Sequence, residues 1–171
     1  TMQNSLRNSE LIPLQFKRQI TRPPAIIVLC DISGSMAQYS RMFLHFLHAM
    51  TNNGDRVHSF LFGTRLTNIS RYLRNKDVDL ALEETAKAVE DWSGGTRIGF
   101  CLKQFNQHWS RRMLGQGAVV ILLTDGLDRG EGPELGKQME RLSKSCRQLV
   151  WLNPLLRYNK FEPRAEGVRI M

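Results

Sequence analysis

Three short polar segments hold the residues of this chain whose types and spacing could do chemistry. Asp31-Ile32-Ser33-Gly34-Ser35 directly follows the apolar run of residues 25–30, and Thr124-Asp125-Gly126 directly follows the apolar run of residues 118–123. The third segment is Gly94-Gly95-Thr96. Their side-chain donors are all oxygens, and such donors suit a hard cation such as Mg²⁺, which prefers octahedral oxygen coordination. We therefore predict a divalent-metal site whose ligands are Asp31, Ser33, Ser35, Thr96 and Asp125.

The predicted site leaves one coordination position open to another molecule. Asp31 and Asp125 bring two negative charges that would neutralise a divalent ion, whereas hydroxyl ligands are neutral. Five protein groups cannot fill an octahedron if some of them act only through water, so we expect a carboxylate from a partner to complete the coordination. Because no free base or nucleophile stands beside the carboxylates, we expect no catalytic turnover. The residues expected to face the partner are Gly34, Met36, Gly95, Gly126 and Asp128.

The two apolar runs predict the elements that position this site. Short, unbroken apolar runs rich in β-branched residues are typical of strands buried on both faces of a parallel sheet. In doubly wound sheets, ligands bind beyond the carboxyl ends of the strands, where two of the polar segments lie. Further strands are predicted at residues 57–62, 66–72 and 148–152, and helices at residues 36–51, 77–91, 98–109 and 133–145. This alternation indicates an α/β fold: a doubly wound, mainly parallel central sheet with helices on both faces.

The helix predicted over residues 36–51 allows a finer expectation about which side chains are buried. A step of 100° per residue places one apolar face on Met42, Phe43, Phe46, Leu47 and Met50. His45 and His48 fall outside this face. We expect both histidines to be solvated rather than metal-bound, because no third ligand accompanies them.

The composition is that of a globular domain with an excess of basic residues. Among 171 residues, 24 are Lys or Arg and 16 are Asp or Glu, which gives a net charge of +8. Residues 1–22 show no clear hydrophobic period and begin with Thr1, so we expect an amino-terminal extension or linker from a longer protein. Residues 23–171 are predicted to form one domain, because a chain of this size buries enough surface to fold without disulfides or a structural metal.

Cysteine usage and apolar run lengths bear on where the protein works. The chain has an odd number of cysteines, namely Cys30, Cys101 and Cys146. They lie far apart and form no C-x-x-C pair, which disfavours a disulfide framework and a zinc site. The longest apolar runs are far shorter than the ~20 residues of a spanning helix, and residues 1–5 lack the apolar core of a signal peptide. We expect a reducing compartment, the cytoplasm, and no membrane contact.

Taken in order along the chain, the three polar segments resemble a known metal site. Asp-x-Ser-x-Ser after a buried strand, then Gly-Gly-Thr, then Thr-Asp-Gly after a second buried strand, resembles the metal-ion-dependent adhesion site (MIDAS) of von Willebrand factor type A (VWA) domains. The resemblance covers about residues 24–153 and implies a VWA or Rossmann-like fold. It implies direct coordination by Ser33 and Ser35, and coordination by Asp31, Thr96 and Asp125 directly or through water. The implied ion is Mg²⁺, with Mn²⁺ and Ca²⁺ as alternatives, and the implied partner is a protein with an acidic residue.

Three further segments narrow the resemblance to the CoxE-like branch of bacterial VWA proteins. They are Thr96-Arg97-Ile98-Gly99, Trp151-Leu152-Asn153-Pro154-Leu155 and Glu162-Pro163-Arg164. This branch implies pairing with a MoxR-type AAA+ ATPase, as a co-chaperone in metalloenzyme maturation or complex remodelling. VWA domains usually have a further helix and a sixth strand, whereas this chain stops at Met171. We expect either a truncated carboxyl-terminal end, with the last strand lacking, or an edge supplied by another segment such as the amino-terminal stretch.

Two other classes of function remain as alternatives. Haloacid-dehalogenase-like phosphatases also bind Mg²⁺ beside an Asp after the first strand, but they require Asp-x-Asp, and Ser33 occupies the position of the second carboxylate. Neither a nucleotide phosphate loop nor a Gly-x-Ser-x-Gly elbow is present in the sequence. The net charge of +8 would suit a nucleic-acid-binding module, yet the basic residues are scattered at residues 65–76, 111–112 and 141–147.

Overall fold

A mainly parallel sheet forms the centre of the molecule. The computed structural model describes residues 23–54, 56–89, 95–115, 117–130, 132–154 and 168. Within them lie five strands: β1 (Ile26–Asp31), β2 (Val57–Phe62), β3 (Leu66–Asn68), β4 (Val119–Leu123) and β5 (Gln148–Leu152). Their order in the sheet is β3-β2-β1-β4-β5, and only the β2–β3 pair is antiparallel. The predicted doubly wound, mainly parallel sheet is confirmed.

Helices connect the strands and cover both faces of the sheet. The described helices are α1 (Ala37–Asn53), α2 (Val78–Ala88), α3 (Ile98–His108), α4 (Ser110–Met113) and α5 (Gly132–Ser145). Two single turns of 3-10 helix occur at Gly34–Met36 and Tyr72–Arg74. The predicted extension over residues 1–22 and the Glu162-Pro163-Arg164 segment lie outside the described residues.

Alternate side chains of β1 point into two separate apolar layers. Ile27 and Leu29 pack on one face with side chains of β2, α3 and α5, among them Phe60 and Phe105. Val28 and Cys30 pack on the other face with side chains of α1 and of the 3-10 turn Tyr72–Arg74. Burial on both faces explains the continuous apolar runs in the sequence, since neither face of a central parallel strand meets water.

One predicted strand is shorter than its apolar pattern suggested. β3 ends at Asn68 and does not reach residue 72, because the Asn68 side chain accepts a hydrogen bond from Ser70 N at 3.0 Å and turns the chain. Ser70 Oγ then accepts from Ser59 N at 2.9 Å and donates to Ser59 O at 3.3 Å. A side chain therefore occupies the backbone hydrogen bonds that a longer β3 would have used.

The apolar face predicted for α1 is wrong in part. Met42 and Phe46 are 57% and 45% exposed, whereas His48, expected in solvent, is only 7% exposed. His48 Nε2 hydrogen-bonds to the Asn75 carbonyl oxygen at 2.8 Å, and this bond offsets the cost of burying the ring. His45 is exposed as predicted. The buried residues of α1 are Tyr39, Ser40, Leu44, Leu47, His48 and Thr51.

A glycine allows α3 and α5 to pack unusually close to each other. A Cβ atom at Gly99 would lie 3.1 Å from Leu135 N and 3.2 Å from Leu135 Cα. These are backbone atoms, so they cannot move aside as a flexible side chain would. The close approach fixes the start of α3 against the start of α5, and the loops before both helices carry residues of the predicted site.

The fold also bears on the membrane and on the cysteines. Among the described residues, no helix has the length and apolar character needed to cross a membrane. Cys30, Cys101 and Cys146 are all free thiols. Burial raises the pKa of Cys30 far above its usual range and that of Cys101 to about 12. These two thiols therefore stay protonated and supply neither a thiolate ligand nor a nucleophile.

Candidate metal centre

The predicted site residues meet at the carboxyl edge of the two central strands. β1 and β4 are parallel neighbours with Cys30 opposite Leu123, so the residues after each strand end at the same edge. Thr124 Oγ1 donates a hydrogen bond to Asp31 Oδ2 at 2.7 Å and links the two strand ends directly. Parallel pairing alone therefore brings the polar segments at residues 31–35 and 124–126 together.

The loop after β1 is folded around the Asp31 carboxylate. Asp31 Oδ1 accepts a hydrogen bond from Ser33 N at 2.8 Å, which turns the chain at the end of the strand. Ser33 O then accepts from Met36 N at 2.9 Å and begins the 3-10 turn. The hydroxyl oxygens of Ser33 and Ser35 lie 3.1 Å apart. The Asp-x-Ser-x-Ser spacing thus brings both hydroxyls to one side of the loop, close to the carboxylate.

The loop before α3 contributes Thr96, whose hydroxyl contacts the same Asp31 oxygen as Ser33 N. Thr96 is 2% exposed, and its Oγ1 donates to Asp31 Oδ1 at 3.4 Å. Its carbonyl oxygen accepts from Arg129 N at 2.9 Å, and the next amide, Arg97 N, donates to Gly63 O at 3.0 Å. Both polar groups of the Thr96–Arg97 peptide are therefore hydrogen-bonded, and this fixes the backbone that carries the Thr96 hydroxyl.

Asp125 has a buried carboxylate oxygen without a hydrogen-bond partner. The residue is 1% exposed, and its Oδ1 accepts from Leu127 N at 3.0 Å. Its Oδ2 is buried and has no partner among the residues that the structure describes. A buried carboxylate oxygen left in this state is costly unless a cation or another donor meets it. This orphaned oxygen therefore fits a site that binds a metal ion.

The electrostatics of the site point the same way. Burial raises the pKa of Asp31 to about 6, hydrogen bonds from Thr124 and Ser33 oppose the increase, and the negative charge of Asp125 adds to it. Two carboxylates thus share a buried region whose hydrogen bonds only partly offset the cost of their charge. A divalent cation placed between them would remove much of that cost.

The chemistry of the donors fits a hard cation. Within the described part of the chain, no group of three or more His, Cys, Asp and Glu side chains is gathered as a metal cluster. The site instead offers carboxylate oxygens from Asp31 and Asp125 together with the hydroxyls of Ser33, Ser35 and Thr96. Such all-oxygen sites with few charges suit Mg²⁺ or Mn²⁺ rather than a thiophilic metal.

The residues expected to face a partner differ in exposure. Gly34 is exposed and Gly95 is half-buried, whereas Gly126 is buried with a φ of 80°, a conformation that favours glycine. Met36 is 0% exposed, so its side chain presents no surface to a partner. Contact between these residues and a partner stays a prediction. At Met36 a partner could touch only the neighbouring backbone, because the side chain is buried.

Asp128 has a structural role that the sequence did not suggest. Its Oδ1 accepts from Ile98 N at 2.9 Å and from Gly130 N at 3.0 Å, and its Oδ2 accepts from Gly99 N at 3.4 Å. The carboxylate thereby satisfies free amides at the start of α3 from a loop 30 residues later in the chain. It ties the loop that carries Asp125 to the loop that carries Thr96.

The sequence-based prediction of the site did not include Thr124, Arg97 or Arg129. Arg97 follows Thr96 in the chain, and Arg129 N donates to the Thr96 carbonyl oxygen. Thr124 holds the Asp31 carboxylate and also accepts from Gly126 N at 3.1 Å. Its place directly after β4 was the signal that could have assigned it. Arg97 and Arg129 carried no comparable signal, because their proximity depends on the contact between two loops that are distant in sequence.

The fold and the site together define a VWA-type α/β domain. The chain belongs to the family described as "VWA domain containing CoxE-like protein", whose model matches residues 1–171. Members of the VWA domain family mediate metal-dependent protein interactions, and VWA-type domains are generally non-catalytic interaction modules. The predicted family is thereby confirmed.

Two solved structures share the fold at low sequence identity. BatB of Bacteroides thetaiotaomicron matches with a TM-score of 0.52 and 18% identity, over 85% of this chain and 78% of BatB. The manganese-loaded TRAP protein of Plasmodium vivax matches with a TM-score of 0.53 and 21% identity, over 77% of this chain and 57% of TRAP. A comparison with curated proteins found no match.

Proposed function

We propose that this chain is a metal-dependent protein-interaction domain. In this proposal Asp31, Ser33, Ser35, Thr96 and Asp125 hold Mg²⁺, with Mn²⁺ or Ca²⁺ as alternatives, directly or through water. An acidic side chain of the partner completes the coordination. The observation that carries the proposal is the buried, unpartnered Oδ2 of Asp125 beside a cluster of oxygens hydrogen-bonded around Asp31.

The charge balance favours an acidic partner. The two carboxylates and a divalent ion sum to about zero, and they lie in a chain whose net charge is +8. An approaching Asp or Glu is attracted by this general field and can also donate an oxygen to the ion. Because Mg²⁺ loses its waters reluctantly, the metal contact confers specificity, and the surrounding loops supply most of the affinity.

The partner that we propose is a MoxR-type AAA+ ATPase, its metalloenzyme client, or both. Membership of the CoxE-like family supports this assignment, in which the domain acts as a co-chaperone for metalloenzyme maturation or complex remodelling. A cytoplasmic location fits this role, because Cys30 and Cys101 are buried free thiols.

Removing the metal should dissociate the partner. We expect a purified MoxR-type ATPase from the same source to bind the chain in millimolar Mg²⁺, and to lose at least about tenfold in affinity in EDTA or with Ser33→Ala. Ser33→Ala keeps the backbone amide that Asp31 uses and removes a hydroxyl that contacts the Ser35 hydroxyl and the Asp31 carboxylate. Surface plasmon resonance measures the affinity.

The matched control is Ser143→Ala, which removes an exposed hydroxyl on α5 and should leave the affinity unchanged. Equal ATPase affinity in Mg²⁺, in EDTA and with Ser33→Ala would contradict a metal-bridged contact. Hydrolysis of a phosphate ester by the purified chain, lost in Ser33→Ala and kept in Ser143→Ala, would instead favour the phosphoryl-transfer alternative.

Removing the Asp128 carboxylate should weaken both the fold and the metal site. We expect Asp128→Ala to lower the free energy of unfolding by about 1–2 kcal/mol, because amides at the start of α3 lose their acceptor. Mg²⁺ affinity should also fall, since the loops of Thr96 and Asp125 are no longer tied together. Urea denaturation and calorimetric Mg²⁺ titration measure the two effects.

Asp77→Ala provides a control with the same chemistry at another helix. Asp77 caps α2 by accepting from Asp79 N at 3.0 Å and from Leu80 N at 3.2 Å. Its removal should cost about 1 kcal/mol of stability and leave Mg²⁺ affinity unchanged. Equal Mg²⁺ affinity for both variants would show that the tie between the loops does not matter to the site.

A further inference from the structure

A basic groove lies directly beside the proposed metal centre. It encloses about 520 Å³ between the first turns of α3 and the loop that follows β4. Its charged lining residues are Arg97, Lys103, Arg129 and Glu134, and Phe100 adds an aromatic ring. The groove therefore carries an excess of positive charge.

Both arginines are joined to the Thr96 loop. Arg97 follows Thr96 in the chain, and Arg129 N donates to Thr96 O at 2.9 Å. The Arg129 side chain also lies against Gly95, where a Cβ atom would come within 2.9 Å of Arg129 Nη1. The Arg97 and Arg129 side chains therefore extend from backbone that is joined to the Thr96 loop.

Contacts other than ion pairs position the two arginines in the described part of the chain. The ion pair in the groove joins Lys103 to Glu134 at 3.2 Å, and among the described residues neither arginine has a carboxylate within 4.0 Å. The Arg97 guanidinium carbon lies 4.9 Å from the centre of the Phe100 ring, which restricts the orientation of that side chain. Arg97 and Arg129 are both exposed.

We propose that this Arg97–Arg129 groove binds a second carboxylate from the acidic segment of the partner whose first carboxylate completes the metal coordination. The inference rests on the proposed function and specifies the partner as a segment with at least two neighbouring acidic side chains. A guanidinium group binds a carboxylate through two parallel hydrogen bonds, so the arginines add both affinity and register. Among the described lining residues the carboxylate is that of Glu134, which is already paired with Lys103 at 3.2 Å. The nearby Asp128 carboxylate is hydrogen-bonded to the amides of Ile98, Gly99 and Gly130.

The test measures binding of a fluorescein-labelled oligoglutamate peptide in millimolar Mg²⁺. We expect Arg97→Gln/Arg129→Gln to lower the peptide affinity roughly tenfold and to leave the Mg²⁺-induced rise in Tm unchanged. The matched control is Arg111→Gln/Arg112→Gln, which removes the same charge from exposed residues before the amino end of β4. This control should change the peptide affinity by less than about threefold, as expected for a general field effect.

Several results would overturn the proposal. Equal losses with both double variants would mean that net charge alone attracts the peptide. Tighter binding of duplex DNA than of the peptide, abolished by Arg97→Gln/Arg129→Gln, would assign the groove to nucleic acid. If Arg97→Gln/Arg129→Gln kept both the Mg²⁺-induced rise in Tm and the wild-type peptide affinity, the groove proposal alone would be overturned. If Mg²⁺ did not raise the Tm of the wild type, both the proposed function and the groove proposal would be overturned.

Discussion

Asp31→Asn should abolish Mg²⁺ binding and leave the metal-free domain at least as stable as the wild type. Asparagine keeps the size of the side chain and the Oδ1 acceptor that Ser33 N uses. Its amide nitrogen can donate to Thr124 Oγ1, because a hydroxyl rotates to act as donor or acceptor. The substitution removes a buried negative charge next to that of Asp125, so the metal-free state loses an unfavourable term.

The loss of metal affinity should be at least about a hundredfold, because residues that merely orient ligands are worth about 10- to 100-fold. Calorimetric Mg²⁺ titration measures this loss, and thermal unfolding with and without Mg²⁺ measures stability. The matched control is Asp79→Asn, the same change at an exposed residue of α2, which should retain the full Mg²⁺-induced rise in Tm. A rise of equal size in Asp31→Asn would show that Asp31 contributes nothing to a metal site.

This separation of stability from binding has a physical basis in the site. Its buried carboxylates are hydrogen-bonded to hydroxyls and amides, and among the described residues Asp125 Oδ2 has no partner. In the proposed function a divalent ion would offset the cost of these buried charges, so it would stabilise the metal-bound state relative to the metal-free fold. A site selected for stability alone would carry neutral side chains at the positions of Asp31 and Asp125.

The parts of this site that the sequence predicted are those whose geometry is local or follows from parallel pairing. The turn at Asp31-Ile32-Ser33 requires only a side-chain-to-amide bond two residues apart. The meeting of Asp31 with Thr124-Asp125 requires only that two fully apolar strands be neighbours in a parallel sheet. Both features are encoded in residue type and short spacing, so no knowledge of the rest of the fold was needed.

The parts that escaped prediction depend on contacts between distant segments. Asp128 caps α3 from the loop after β4, and the close approach at Gly99 sets the distance between α3 and α5. The pairing of Arg97 with Arg129 in one groove follows from these same contacts. None of them leaves a periodic or compositional pattern in the sequence.

The error on α1 has a related cause. Hydrophobic periodicity ranks side chains by type, and it therefore favoured Met42 and Phe46 over His48. Burial is decided instead by what packs against each face, and the Asn75 carbonyl provides a hydrogen bond for His48. A histidine whose ring nitrogen is hydrogen-bonded can therefore be buried although Met42 on the same helix stays exposed.

The second large effect on stability should come from the apolar layer beneath the candidate metal centre. Phe60 is 0% exposed and pairs with Leu29 of β1 and Asn68 of β3. Its ring makes edge-on contacts with Phe105 at 5.4 Å and with Trp109 at 5.3 Å, measured between ring centroids. We expect Phe60→Ala to lower the free energy of unfolding by about 3–5 kcal/mol, because the surrounding rings cannot close the cavity. Urea denaturation measures the change.

Metal binding should rescue this variant as much as it stabilises the wild type. Phe60 lies two residues before Phe62, which pairs with Asp31, so the site itself keeps its contacts. A ligand at a hundredfold excess over its Kd stabilises any folded state that binds it by about 2.7 kcal/mol. The Mg²⁺-induced gain should therefore be equal in the wild type and in Phe60→Ala, and absent in Asp31→Asn/Phe60→Ala.

The control for side-chain size is Phe46→Ala, since Phe46 is 45% exposed on α1 and its loss should cost less than about 1 kcal/mol. If Phe60→Ala lost no more stability than Phe46→Ala, the core would have relaxed around the missing ring. A smaller Mg²⁺-induced gain in Phe60→Ala would mean that the apolar layer and the metal centre are coupled. We expect the stability lost in Phe60→Ala and the stability gained with Mg²⁺ to be independent of each other. The site is held by hydrogen bonds at the strand ends, whereas Phe60 contributes packing within the sheet.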